Sequence, residues 1–268
     1  ELRIETAAPE PLSIVDHLRD GEGYFIARVV PPGPDGTWQR GWQRTALPDG
    51  KALDVIVVCD TSGSMDAAAR KTQTEVVAAL LGTLGESDRF RLLATDWQAQ
   101  WFDQARLPAE EARIAAALEF LQKRPSLGWT DLDLALRTAL ESAEPGAMIV
   151  YVGDGLVTRG DADGRAFARR AEGMLRGRDV TLHAVAVSNT FDAAALDAIT
   201  LAGRGSHVAA GDDPALAVAS LLNDALAPRL TDARIAIDGI EVARVYPAAL
   251  PNVPVGRERI VVGRYRNT

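Results

Sequence analysis

The chain has a single cysteine, Cys59, in 268 residues, so no internal disulfide can hold it together. Its three histidines, His17, His183 and His207, lie far apart and share no ligand spacing. That weakens any reading built on a histidine-ligated metal or a histidine base. No apolar run approaches the length needed to span a bilayer. No cluster of Lys and Arg interleaves with aromatics, and the net charge is −8. This balance argues against a nucleic-acid backbone as partner, because phosphate binding needs concentrated positive charge. The first residue is Glu1 and no signal peptide is seen, which fits a mature form and an excised piece equally.

What is present is a strong alternation of strand and helix patterns. A hydrophobic fraction of 47% can build a proper core, and the length fits one large domain, alone or with a smaller one. Leu53 to Cys59 reads as a buried strand, with Cys59 a small core residue. Val76, Val77, Leu80, Leu81 and Leu84 then recur at helical spacing, with Gly85 as the stop. Arg89 to Thr95, Gln98 to Phe102, Ala147 to Val152, Val180 to Val187 and Ser206 to Ala210 read as further strands. Helices are expected around Ile114–Leu121, Leu132–Leu140, Phe167–Leu175, Ala194–Ile199 and Pro214–Leu226. Such alternation predicts a parallel sheet covered on both faces.

The flanks differ. Residues 1–23 show no strong period, Tyr24–Val30 reads as a strand, and 33–51 reads as a long connection carrying Trp38 and Trp42. After Ala233 the pattern is strands only: Ala233–Asp238, Val242–Tyr246 and Arg259–Tyr265. The expected fold is α/β: a doubly wound, mostly parallel sheet with helices on both faces, plus a small antiparallel β unit built from the N- and C-terminal flanks. The expected divisions are an N-terminal flank over 1–51, a central domain over 52–228 and a C-terminal β flank over 229–268.

Asp60-Thr61-Ser62-Gly63-Ser64 leaves the first buried strand where a helix begins. Such residues also serve as ordinary turn and helix N-cap residues. The aspartic-protease turn is a second alternative, but Ser62 separates Thr61 from Gly63 and the chain is not all-strand. Two further loops decide. Gly128-Trp129-Thr130-Asp131 opens a helix, and Gly153-Asp154-Gly155 closes a continuous apolar strand. In an open parallel sheet, ligands bind beyond the carboxyl ends of the strands. Loops that supply only hydroxyls and carboxylates there suit Mg2+, Mn2+ or Ca2+.

Asp60-x-Ser62-x-Ser64, then Thr130, then Asp154 resembles the metal-ion-dependent adhesion site of von Willebrand factor type A domains. The resemblance covers about residues 52–228. It implies Ser62, Ser64 and Thr130 as hydroxyl ligands, with Asp60 and Asp154 holding the metal directly or through water. The family usually has Gly before this threonine, where this chain has Trp129. Trp129 has two readings, a core residue at the sheet edge or an aromatic rim for a partner, and the rim is favoured. Asp131 and Asp133 read as first-turn helix carboxylates. Gly23-Tyr24-Phe25, Val245-Tyr246-Pro247 and Leu250-Pro251 are similar to the β segments that flank the domain in bacterial relatives of inter-alpha-trypsin inhibitor heavy chains.

The resemblance implies a metal-dependent, adhesion-type protein-binding module with Mg2+ (or Mn2+ or Ca2+) as cofactor and no enzymatic activity. The partner would be a protein presenting Asp or Glu, and the setting extracellular, cell-surface or periplasmic. The alternatives are an intracellular scaffold of the same class, which a cytoplasmic setting would fit, and a metal-dependent hydrolase. Arg159-Gly160-Asp161 spells an integrin-recognition tripeptide and reads as a solvated loop.

Overall fold

The computed structural model describes residues 12–19, 21–30, 52–156, 164–227, 229–230, 241–246, 253–254 and 258–266. In chain order these form β1 (Leu12–Arg19), β2 (Glu22–Val29), β3 (Asp54–Asp60), α1 (Ala67–Leu81), β4 (Arg89–Thr95), β5 (Ala99–Trp101) and β6 (Leu107–Pro108). Then come α2 (Glu111–Lys123), α3 (Leu132–Ser142), β7 (Ala147–Gly153), α4 (Gly164–Leu175), β8 (Val180–Ala186), α5 (Ala193–Ala202) and β9 (Arg204–Ala209). The last are α6 (Pro214–Leu226), β10 (Arg229–Leu230), β11 (Glu241–Tyr246), β12 (Val253–Pro254) and β13 (Arg259–Arg266). The chain divides into two compact units, Leu47–Ala225 and the joined flanks Glu1–Ala46 with Leu226–Thr268.

The larger unit is a sheet in the order β5-β4-β3-β7-β8-β9, with β6 also paired to β4. Neighbours from β4 through β9 run parallel, and β5 and β6 run antiparallel to β4. β3 and β7 are apolar almost throughout because both faces of the sheet are covered. Val55, Val57 and Cys59 face one core with Val76, Val77, Leu80 and Leu121. Ile56 and Val58 point into the other, with Leu136, Leu140, Phe167 and Leu196. Burying each such side chain contributes about 1.5–3 kcal/mol. Burial also pushes the Cys59 thiol up to about 12, so it stays protonated and inert.

The strand order reverses between β3 and β7. The chain steps from β3 outward to β4, then returns to the other side of β3 to lay down β7, β8 and β9. The crevice at such a reversal, beyond the carboxyl ends of the strands, is where ligands bind in open parallel sheets.

The smaller unit holds an antiparallel sheet in the order β1-β2-β13-β11 and a short β10–β12 ladder. Its core is Phe25, Ala27, Val261 and Tyr265. Tyr24–Val30, Val242–Tyr246 and Arg259–Tyr265 thus join one sheet, as the strand-only pattern predicts. Ala233–Asp238, residues 33–51 with both their tryptophans, and Arg159-Gly160-Asp161 lie outside the described residues.

Two local expectations are corrected. Residues 12–19 form β1 although no period announces them, because nearly every side chain of this strand is exposed and the sequence carries no inside–outside alternation. Helix α1 stops at Gly82, not Gly85. The Gly82 amide donates to Ala78 at 2.9 Å, and the Thr83 and Leu84 amides reach back to Leu80 and Leu81 at 3.2 Å. Leu84 packs on the core from this tightened turn, so it keeps the helical apolar spacing without being helical.

Candidate metal centre

Asp60 ends β3 and is fully buried. Its two carboxylate oxygens are both engaged. The Ser62 amide donates to Oδ1 at 2.9 Å, and the Tyr151 hydroxyl donates to Oδ2 at 2.6 Å. The backbone then turns tightly, with the Met65 amide on the Ser62 carbonyl at 3.2 Å. Met65 plugs into the core, and Asp66 caps α1 by accepting from the Ala69 amide at 2.8 Å. Between these anchors the Ser62 and Ser64 hydroxyls face each other at 2.9 Å.

The second loop is laced to the first by its backbone. The Leu127 amide donates to the Thr61 carbonyl at 3.2 Å, and the Gly63 amide donates to the Gly128 carbonyl at 3.0 Å. Gly128 has φ +77°, and a Cβ there would sit 2.5 Å from Trp97 Cδ1, so only glycine fits. Thr130 follows, 1% exposed, directly before the α3 cap. Asp131 is that cap, accepting from the Leu134 amide at 2.9 Å. Asp133 instead pairs with Arg170, at 2.8 Å to Nη2 and 3.0 Å to Nε.

Asp154 follows β7 and is fully buried. Its Oδ1 accepts from the Leu156 amide at 2.9 Å, while its Oδ2 is buried with no hydrogen-bond partner among the described residues. Asp60 lies close by, packed against Gly153, where an added Cβ would meet Asp60 Cβ and the Tyr151 hydroxyl, each at 2.5 Å. Burial raises the Asp60 carboxyl from 3.8 to about 6; the hydrogen bonds from Tyr151 and Ser62 oppose the rise and the Asp154 charge adds to it. The Tyr151 phenol is pushed well above its ordinary 10, chiefly by burial and then by the Asp60 charge.

The three loops therefore meet at the strand-order reversal. Asp60, Ser62 and Ser64 come from the first, Thr130 from the second and Asp154 from the third. The donor set suits a hard cation: an unpartnered buried carboxylate oxygen and two hydroxyls within hydrogen-bond distance of each other. Among the described residues no three side chains of His, Cys, Asp and Glu group into a metal cluster. The set here has only two carboxylates and depends on hydroxyls. Trp129 is 60% exposed, which removes the reading of it as core, and Leu127 and Trp97 are exposed beside it at 59% and 48%.

Several supporting residues escaped the sequence reading. Gln73, fully buried on α1, donates to the Asp60 carbonyl at 2.8 Å and to the Val152 carbonyl at 2.7 Å, clamping the ends of β3 and β7. Arg70 donates to the Gln73 side chain at 2.5 Å and to the Leu121 carbonyl at 2.5 Å. Signals existed: Gln73 is a polar residue on an apolar helix face, and Tyr151 brings the one hydroxyl in an apolar strand. His183 is buried on β8, with its Nδ1 taking the Ser206 amide at 3.2 Å, as a packed histidine.

The sequence profile of the von Willebrand factor type A domain matches residues 53–208. Inter-alpha-trypsin inhibitor heavy chain H1 of Mesocricetus auratus is 22% identical over 224 residues, which cover 79% of this chain and 24% of that protein. Among solved structures, a von Willebrand factor type A protein from Catenulispora acidiphila superposes with a TM-score of 0.56 at 16% identity, covering 96% of this chain and 65% of that one. Proximal thread matrix protein 1 of the mussel byssus, in a form with a zinc-occupied MIDAS motif, superposes with a TM-score of 0.51 at 14% identity, covering 68% of this chain and 50% of that one. These structural likenesses concern the fold alone. The matched profile spans more than half of the sequence, from β3 into β9. The chain belongs to the von Willebrand factor type A domain family.

Proposed function

We propose that this domain is a metal-dependent protein-binding module of the adhesion type, with no reaction of its own. Ser62, Ser64 and Thr130 supply hydroxyl ligands, and Asp154 and Asp60 hold the ion directly or through water. The observation that carries the reading is the buried Oδ2 of Asp154, which has no hydrogen-bond partner among the described residues, together with the facing seryl hydroxyls of the neighbouring loop. An anionic oxygen left so is costly unless a cation or a hydrogen bond meets it. Asp60 has both oxygens occupied by Ser62 and Tyr151, which favours contact through water.

When bound, the ion offers an electrophilic open position, because hydroxyl ligands neutralise little of its charge. A carboxylate of a partner protein fills it. Asp66, Asp131 and Asp133 would repel such a group. Two of them cap helices and the third is paired to Arg170, so their charge is partly offset, and solvent screens them beyond about 8 Å. Trp129, Leu127 and Trp97 form an exposed apolar rim for the side chains around the acid. Mg2+ is the favoured ion, with Mn2+ or Ca2+ as substitutes, because all donors are hard oxygens. The zinc in the mussel protein's motif shows what that protein's site holds. No helix among the described residues is long and apolar enough to cross a membrane. The likeness of the flanking strands to those of heavy-chain relatives favours an extracellular, cell-surface or periplasmic setting.

A pull-down in Mg2+ against EDTA, with wild type and Thr130→Ala as baits, tests the reading. A partner retained only by wild type in Mg2+, and lost when one of its own acidic residues is replaced, is expected. Retention in EDTA, or a partner whose every acidic residue is dispensable, would overturn it.

A further inference from the structure

Asp96 follows β4 and is 4% exposed. Its Oδ2 accepts from Arg124 Nη2 at 2.8 Å and from the Thr61 hydroxyl at 3.3 Å. Its Oδ1 accepts from the Gln98 amide at 2.8 Å, and its backbone carbonyl accepts from the Asp131 amide at 3.3 Å. Arg124 and Asp131 are the two ends of the segment that carries Leu127, Gly128, Trp129 and Thr130. One buried residue thus grips that segment at both ends and holds Thr61 of the first loop at the same time. Arg124 is fixed from its other side, its carbonyl accepting from Arg70 at 3.2 Å and its Nη1 donating to Gln100.

A buried ion pair is poor evidence for stability in itself, since apolar residues of similar volume often serve as well or better. Its value lies in specifying geometry. Among the described residues, each partner of Asp96 beyond its own turn lies on a loop of the metal centre or is Arg124, which anchors one. We propose that Asp96 is a positioning residue: acting through Arg124, Asp131 and Thr61, it sets where Thr130 stands relative to Ser62 and Ser64. This rests on the metal-site reading above, and partners of this kind typically change metal affinity by about 10–100-fold.

The test compares wild type, Asp96→Asn, Arg124→Gln, Arg124→Lys and the Asp96→Asn/Arg124→Gln double variant. Mn2+ affinity is read from the electron paramagnetic resonance signal of the free ion. Amide exchange over 124–131 is read separately in EDTA. Each neutral single variant should bind Mn2+ about tenfold or more weakly. The double variant should be no worse than the weaker single, because both remove one contact. Arg124→Lys, which keeps the cation, should recover part of the loss. Exchange over 124–131 should quicken in both neutral singles while β7 and β8 keep wild-type protection. Wild-type affinity in both singles, additive losses in the double, or unchanged exchange would overturn the proposal. A wild type that binds no Mn2+ would instead sink the metal reading, and the exchange measurement alone would then uphold or refute the hold of Asp96 on the segment.

Discussion

Asp60→Asn removes a buried charge and keeps its shape, and the structure sets the size of the effect. In the metal-free protein, burial raises the Asp60 carboxyl from 3.8 to about 6. In the unfolded chain the group titrates near its ordinary value. Between about pH 4 and about pH 6 the folded state therefore binds more protons than the unfolded state, so stability falls as pH rises through that window. The rise corresponds to about 3 kcal/mol once both states are ionised. The Asn variant has no such proton to lose. In EDTA, its stability relative to wild type should climb by about 2–3 kcal/mol from about pH 4 to about pH 7. A dication next to the carboxylate favours the charged form. Mg2+ should therefore stabilise wild type most above about pH 6 and least near pH 4, and should stabilise the variant less than wild type above about pH 6. Urea unfolding with matched slopes measures all four conditions. A difference between wild type and Asp60→Asn in EDTA that stays flat across the window would refute the reasoning, whatever Mg2+ does.

Gln73→Leu removes the amide that donates to the buried Asp60 and Val152 carbonyls, leaving the Asp60 carbonyl only the longer 3.4 Å contact from Arg70, and should cost on the order of 2 kcal/mol in chemical unfolding; a loss under about 0.5 kcal/mol would deny the clamp. Gly153→Ala places a methyl within 2.5 Å of both Asp60 Cβ and the Tyr151 hydroxyl, so it should destabilise by about 1–3 kcal/mol and break their hydrogen bond, visible as a shifted tyrosine absorption. Trp129→Ala should weaken partner binding by about 2 kcal/mol while leaving Mn2+ affinity unchanged, and an equal loss of metal affinity would contradict its place on the rim.

The larger unit was legible because its strands are buried on both faces. The apolar runs from Asp54 to Asp60 and from Ala147 to Gly153 admit few other readings. The oxygen-bearing loops were legible for the same reason, since each interrupts or follows an apolar pattern with residues that no core needs. What was not legible falls into two kinds. β1 presents mostly exposed side chains, so hydrogen bonding to β2 defines it and no hydrophobic period betrays it. Gln73, Arg70, Asp96 and Tyr151 act through distant backbone and side-chain partners, brought together only where β4, β3 and β7 lie side by side in the sheet. Asp96 does stand at a strand end as Asp60 and Asp154 do, but nothing in the local sequence says that its partner is Arg124.

The central claim is that Asp60, Ser62, Ser64, Thr130 and Asp154 hold one divalent cation. Anomalous diffraction from crystals grown with Mn2+ tests it most directly. The account predicts a single strong peak beyond the carboxyl ends of β3 and β7, with the Ser62 and Ser64 hydroxyls at direct coordination distance and the Asp154 carboxylate facing it. No peak there at saturating Mn2+, or a peak held by other residues, would contradict it.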